Sequence, residues 1–406
     1  MNKSLPLEGI KVVELATVVA APTTSRLLAD YGANVIKIEV PGSGDSMRIL
    51  GDMHRLPILD DNNPIFDLFN TGKKFVSINL KSPEGLEIIF KLLSQADVLI
   101  TNTRVRSLEK LGIWYEQIKD RFPRLIYAHF SGFGLFGKGK DRPGYDSTAF
   151  WLKPGIAGDM TLEGVLPARP PYAFGDIASA SYFLNGILIA LLGREKAGRG
   201  TLISTSLYNA GIWMSASYMI NTQDKYGNTL PSERYEPWSP FCDYYKCSDG
   251  EYIMFIAKRY PDERQLMASV FGLPELVEDP DLATIGTMRH SGKLPGIVQK
   301  LEAIVMTRSS QEWIDIFDAH DIPYELSGHI KDIYTDAQAW DNGYIENMEY
   351  PDGITVFPTP PIKFADYGRR PAGKADRLGA DTDSVLEELG YTVEEIHALR
   401  QNDVIM

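Results

Sequence analysis

The first third of the chain alternates short apolar runs with stretches of helical period, a pattern that few folds accept. IKVVEL (10–15) reads as a buried strand, and Pro22 follows where a helix can start. Leu27 and Leu28 supply the inward face of that helix, and Gly32 suits a left-handed cap. VIKIE (35–39) is the next strand, and the unit recurs after SINL (77–80). There Ser82, Pro83 and Glu84 offer an oxygen cap, a proline at the first helical position and an acid in the first turn. Leu86, Ile89, Phe90 and Leu93 then fall at i, i+3, i+4 and i+7, on one helical face. VLI (98–100) and LIYAHF (125–130) close two further units. Strands joined through helices pair in parallel, with helices on both faces. The expectation is an α/β fold whose large domain is an open, parallel, Rossmann-like sheet.

The pattern changes after residue 220. Residues 221–240 are polar and rich in Pro, Tyr and Trp, as in a long linker. EYIMFIA (251–257) reads as a strand, and helical periods continue to Phe317, the last opened by a Ser309/Glu312 capping box. A Pro-rich extended stretch (344–364) precedes LEELGYTVEEIHAL, a short helical hairpin. The expected division is a large α/β domain over 1–220, a smaller inserted α/β domain over 221–335, and a return segment over 336–406 that completes the first.

With 406 residues, 44% of them hydrophobic, the chain is long enough for two cores, and its net charge of −13 argues against nucleic-acid binding. An anionic ligand would need a local basic cluster or backbone amides. Cys242 and Cys247 have no histidine near them in sequence, so neither a metal site nor a disulfide framework is expected. No signal peptide is apparent, and the apolar stretch Ile177–Leu192 reads as too short for a bilayer. The expectation is a cytoplasmic protein with no membrane partner.

Gly175-Asp176 is the first candidate for chemistry. A glycine permits a tight turn, and Asp176 would open a helix over 177–192 beside Ala178, Ser179, Ala180 and Ser181. One reading is a helix N-cap, worth about 1 kcal/mol. The other is a carboxylate kept ionised by the helix terminus, with room for a bulky ligand, acting as a nucleophile on a thioester. PGSGDSMR (41–48) reads either as a flexible turn or as a loop whose amides, with Lys37 and Arg48, meet a ligand phosphate. Met47 stands where a dinucleotide fingerprint has its third glycine. NTGKKF (70–75) and NTRVRSLEKLG (102–112) set amide beside basic side chains, and Asn102 follows a strand end, where open sheets bind ligands. The six histidines lack metal-ligand spacing.

Several of these segments together resemble the class III, formyl-CoA transferase-like, CoA-transferases. They are ELATVVAAPTTSRLLADYGANVIKIEVPGSGDSMR, NTGKKFVSINLKSPEG, ADVLITNTRVRSLEKLG, the FGD at 174–176, GRGTLISTSL (198–207) and LGADTDSVLEELGYTVEEI. The resemblance implies that Asp176 is the nucleophile, forming an aspartyl anhydride and then an aspartyl-CoA thioester, with no permanently bound cofactor. It implies backbone amides at Val18, Val19 and Ala20 as oxyanion donors. It sets Arg48, Asn102, Arg104, Lys110, Lys138, Lys140 and Tyr145 near coenzyme A. It implies an interlocked homodimer acting on acyl-CoA and small carboxylic acids. The stretch YEPWSPFCDYYKCSDG (235–250) and DAQAWDNGYIENMEYPDG (336–353) look like the branch that handles 2-hydroxy acids and their 2-enoyl counterparts in amino-acid fermentation. Racemases of 2-methylacyl-CoA thioesters share the fold. Their pattern has a histidine where RPGYDSTA (142–149) has Tyr145, and a tyrosine is a poor acid–base replacement. A non-catalytic CoA-binding module is the alternative from a different class.

Overall fold

In the computed structural model, which describes residues 3–226, 230 and 233–406, six strands form the central sheet of the larger unit. They are β1 (Lys11–Leu15), β2 (Asn34–Glu39), β3 (Lys74–Ser77), β4 (Val98–Thr101), β5 (Ile126–Ser131) and β6 (Leu202–Ser206). Their order is β3-β2-β1-β4-β5-β6, and every neighbouring pair is parallel. The α/β, Rossmann-like expectation for this part of the chain holds. Strand order reverses between β1 and β4, and the carboxyl ends of strands at such a reversal are where open α/β sheets bind ligands.

Both faces of the sheet are covered. On one, Val12, Ile100 and Ile126 share a core with Leu28 of the helix Ala20–Asp30 and with Phe183, Leu184 and Ile187 of the helix Phe174–Ala197. On the other, Val13, Val76 and Leu99 meet Ile88 and Leu92 of the helix Pro83–Gln95 and Val385, Leu386 and Ile396 of the C-terminal helices. The chain end is tied back through Phe75 N–H to Asp381 Oδ2 at 2.8 Å and Asn79 N–H to Val404 O at 2.8 Å.

Several elements differ in detail from the sequence reading. The third strand is KFVS, and SINL leaves the sheet after Ser77, with Ile78 bridging Ile405. The buried face of Pro83–Gln95 centres on Ile88, Ile89, Leu92 and Leu93, with Leu86 and Phe90 at its margins. The helix expected over 177–192 spans Phe174–Ala197, 24 residues, and is long and apolar enough by length and composition to cross a membrane. Its middle residues instead fill the sheet's core. The extended stretch near 344–364 is an antiparallel hairpin, described below.

By contacts the chain divides into two units: 1–157, 169–221 and 337–406 form one, and 158–168 with 222–336 form the other. The second unit has an antiparallel sheet of β7 (Cys242–Lys246), β8 (Tyr252–Ile256) and β9 (Tyr324–Leu326). Helices including Tyr260–Phe271 and Ser310–Ala319 pack on it around Phe255, Phe271, Trp313 and Phe317. The Ser309/Glu312 capping box is formed, with Ser309 N–H donating to Glu312 at 2.8 Å. The hairpin of β10 (Ile345–Tyr350) and β11 (Gly353–Pro358) belongs to the first unit.

The cap of Pro83–Gln95 is a local test of this architecture, because Ser82 Oγ accepts from Gly85 N–H at 3.0 Å. Ser82→Ala should lower stability by about 1 kcal/mol, and Ser82→Asp should retain it, as read by the melting temperature. An unchanged melt for Ser82→Ala would show that the cap contributes nothing.

Candidate active site

The loop that leaves β1 at the sheet's crossover is held from three sides. Asn102, just past β4, accepts from Thr17 N–H at 3.1 Å and donates Nδ2 to Thr17 O at 2.7 Å. Asp45 accepts the Val18 N–H through Oδ1 at 3.0 Å, with Oδ2 at 3.2 Å, so this amide, expected among the oxyanion donors, is already spent within the protein. Below the loop, Lys37 Nζ donates to Ala16 O at 2.8 Å and Lys73 Nζ to Pro22 O at 3.0 Å.

These clamps are charged and buried. Lys37 pairs with Glu14 at 2.6 Å and Asp45 at 2.9 Å, Lys73 pairs with Glu14 at 2.8 Å, and all four side chains lie out of water. Burial pushes the Glu14 carboxyl up, but the two lysines outweigh it and hold it down at about 2. Within this grip Val18 has φ 71°, a left-handed conformation that costs a β-branched residue energy. Val19 and Ala20 then open the helix Ala20–Asp30, which lacks a side-chain cap.

A second strained turn lies beside the first. Ala173, φ 59°, precedes the helix Phe174–Ala197, and it shares a small apolar cluster with Val19, Met47 and Phe66. Thr24 Oγ1 donates to Ala180 O at 3.2 Å and ties the two helices together. Asp176 lies in the first helical turn and is not its cap. That role falls to Asp146, whose Oδ2 accepts Gly175 N–H at 2.9 Å and Asp176 N–H at 3.3 Å. Gly175 is required there, because a Cβ would lie 2.4 Å from the Phe150 ring and 2.9 Å from Asp146 Oδ1.

Asp176 therefore carries a half-buried carboxylate in a setting unlike the one read from sequence. The helix terminus was expected to keep it ionised. Burial, with the Asp146 carboxylate beside it, instead pushes its pKa up to about 7. Burial likewise raises Asp146. The Tyr172 phenol is pushed up to about 12 by partial burial and by the Asp176, Asp146 and Asp45 carboxylates. Its ring packs on His54, centroids 4.3 Å apart.

The other sequence candidates separate into two groups. Lys37 cannot reach a ligand phosphate: it is wholly buried and saturated by Glu14, Asp45 and Ala16. Arg48 is engaged by the protein too, through both oxygens of Glu39 at 2.8 and 2.9 Å, through Asp376 O, and over the Phe66 ring at 4.1 Å. Four amides of PGSGDSMR are likewise engaged by the protein and not open to a phosphate. The amides of Gly44, Asp45, Met47 and Arg48 donate to Val40 O, Glu39 Oε1, Asp45 Oδ1 and Asp45 O. Lys73 and Asn70 of NTGKKF are buried against each other. Asn102 holds Thr17 with both ends of its amide. By contrast, Arg104, Lys110, Lys138, Lys140 and Tyr145 are exposed in the same unit. Arg104 begins the helix Val105–Leu111 just past β4, and Lys138 and Lys140 follow β5.

Sequence reasoning missed Asp45, Asp146 and Tyr172. Asp45 lies within PGSGDSMR and Asp146 within RPGYDSTA, beside the more conspicuous Arg48 and Tyr145. The available signal for Asp45 was an acid just after a glycine turn, following a strand that carries an inward lysine.

The raised pKa of Asp176 has a stability consequence with a definite sign. The folded state holds this proton more tightly than the unfolded chain between about 4 and about 7. Its stabilising contribution is complete below about 4 and is lost as pH rises to about 7. Asp176→Asn should therefore melt above the parent at pH 8, with the difference vanishing near pH 4. A difference independent of pH would count against the burial of this charge.

Comparison with known proteins identifies the family. Residues 7–382 match the model of CoA-transferase family III. The chain is 36% identical over 400 residues to (R)-2-hydroxy-4-methylpentanoate CoA-transferase of Clostridioides difficile, covering 98% of this chain and 99% of that one. It is 32% identical to cinnamoyl-CoA:phenyllactate CoA-transferase of Clostridium sporogenes, over 100% and 98% of the two chains. Among solved structures, a CaiB/BaiF family protein from Brucella suis superimposes with a TM-score of 0.76 at 25% identity, over 96% of this chain and all of that one. The chain belongs to CoA-transferase family III and is a CoA-transferase.

Proposed function

We propose that the protein moves coenzyme A between an acyl-CoA and a 2-hydroxy or 2-enoyl carboxylic acid through covalent intermediates on Asp176. The observation that carries this is the state of that carboxylate. It is half-buried, has no capping duty, and has a pKa near 7. A carboxylate of raised pKa is a stronger base and nucleophile than an ordinary aspartate, yet remains ionised in about half the molecules at neutral pH. Its ionised oxygen attacks the thioester carbonyl carbon; a C–O bond forms, the C–S bond breaks, and the thiolate leaves with the electron pair. The product is an aspartyl anhydride. The thiolate then attacks the aspartyl carbonyl carbon, giving aspartyl-CoA thioester and releasing the donor carboxylate. An acceptor carboxylate retraces the two steps in reverse and leaves as its CoA thioester, with Asp176 restored.

Each addition places negative charge on a carbonyl oxygen, and the amides of Val19 and Ala20 at a helix start are suited to stabilise it. Arg104, Lys110, Lys138 and Lys140 supply positive charge for the nucleotide end of coenzyme A in an otherwise acidic chain. The names of the two relatives, acting on a branched 2-hydroxy acid and on an aryl lactate, support the choice of acid.

The test is to incubate the protein with an acyl-CoA and a panel of carboxylic acids and to follow acyl-CoA species by mass spectrometry. New acyl-CoA products should form and should vanish in Asp176→Ala, while coenzyme A affinity stays within about tenfold, or roughly 1.4 kcal/mol. Substantial turnover in the mutant would overturn the mechanism. Transfer to none of the 2-hydroxy or 2-enoyl acids would overturn the substrate class.

The same proposal includes a homodimer, since Ile189, Leu192 and Trp213 lie 68–71% exposed on one compact unit. Native mass should read twice the 45.3 kDa of one chain, and a monomeric mass would refute it.

A further inference from the structure

The loop between β1 and its helix has almost every backbone polar group engaged. Lys37 takes Ala16 O, Asn102 takes both groups of Thr17, and Asp45 takes Val18 N–H. Thr23 takes Val19 O, Thr24 Oγ1 takes Ala20 O, and Lys73 takes Pro22 O. Among the described residues, the Val19, Ala20 and Ala21 amides donate no hydrogen bond. The amides left open follow directly on the strained residue, so their direction depends on what holds Val18 at φ 71°.

That restraint is Asp45. Its Oδ1 accepts from Val18 N–H at 3.0 Å and from Met47 N–H at 2.9 Å, while Oδ2 meets the Lys37 ammonium at 2.9 Å. Lys37 is in turn anchored by Glu14, which also meets Lys73 and Ser25. A carboxylate serves all three donors because both its oxygens accept. An amide in its place would turn an N–H₂ towards either an ammonium or a backbone N–H, donor against donor.

We propose that Asp45 is a positioning residue for CoA transfer: locked by Lys37, it holds Val18 in the left-handed region and so aims the Val19 and Ala20 amides at the oxyanion formed on attack by Asp176. This deepens the transferase reading above and rests on it. The aspartate touches neither substrate nor the reacting atoms. At 1% exposure it acts through one turn of backbone and not by contact with coenzyme A.

The near-isosteric Asp45→Asn is the informative variant, assayed in the full-length protein with acyl-CoA and a carboxylic acid acceptor. Because it misdirects transition-state donors, kcat should fall roughly 10- to 100-fold while KM for acyl-CoA changes less than about threefold. Adding Val18→Gly to Asp45→Asn should recover part of the lost kcat, since glycine enters the left-handed region unaided. A purely structural loss would not respond in that way. Parent-like kcat in Asp45→Asn, a KM rise matching the kcat loss, or failure of Asp45→Asn to yield folded protein would each overturn the proposal; the last would make the carboxylate a requirement of folding. Absence of transfer by the parent protein is a separate result, which would refute the transferase reading and this inference with it.

Discussion

Two lysines and two carboxylates buried beneath the carboxyl ends of the central strands organise this molecule. Glu14 comes from β1, Lys37 from β2, Asp45 from the turn after β2, and Lys73 from the approach to β3. Each charge is matched, and the remaining donors are turned on backbone carbonyls or the Asn70 amide oxygen, the condition under which buried ion pairs are tolerated. Loss of any one partner strands a charge away from water, at a cost of roughly 3–5 kcal/mol. Such a cluster is a poor source of stability compared with apolar packing. What it supplies is direction: three successive strands and the loop above them are fixed relative to one another at the place where the sheet's order reverses.

Much of the larger unit was legible in the sequence because apolar runs in a parallel sheet are nearly continuous. IKVVEL, VIKIE, VLI and LIYAHF all became strands within a residue or so of their runs. The sixth strand, LISTS, escaped because it lies at the sheet's edge and has only two apolar residues before three hydroxyl ones, so no apolar run marks it. The β10–β11 hairpin was hidden by its prolines, which suggested an extended linker rather than paired strands.

The candidate site was less legible, for a reason tied to sequence distance. A lysine inside a strand reads as exposed when its partner is unseen, and Lys37 finds Glu14 23 residues away. Arg48 was read as a phosphate ligand because its partner, Glu39, lay in the preceding strand and its stacking on Phe66 needed the folded chain. Asp176 was picked out, but its electrostatics were read from the helix terminus alone. Burial and a neighbouring acid thirty positions earlier outweigh that terminus, and neither is visible in a local pattern.

Division of labour between Asp146 and Asp176 has one more consequence. An aspartate that caps its own helix cannot be acylated without surrendering the hydrogen bonds that start the helix. Here the Gly175 and Asp176 amides belong to Asp146, and among the described residues the Asp176 side chain makes no hydrogen bond or ion pair. A bulky group can come and go on that carboxylate while the 24-residue helix beneath it keeps its register. For the proposed transfer, the scaffold would be indifferent to the exchange above it and would pass through cycles of bond making without refolding any part of its core.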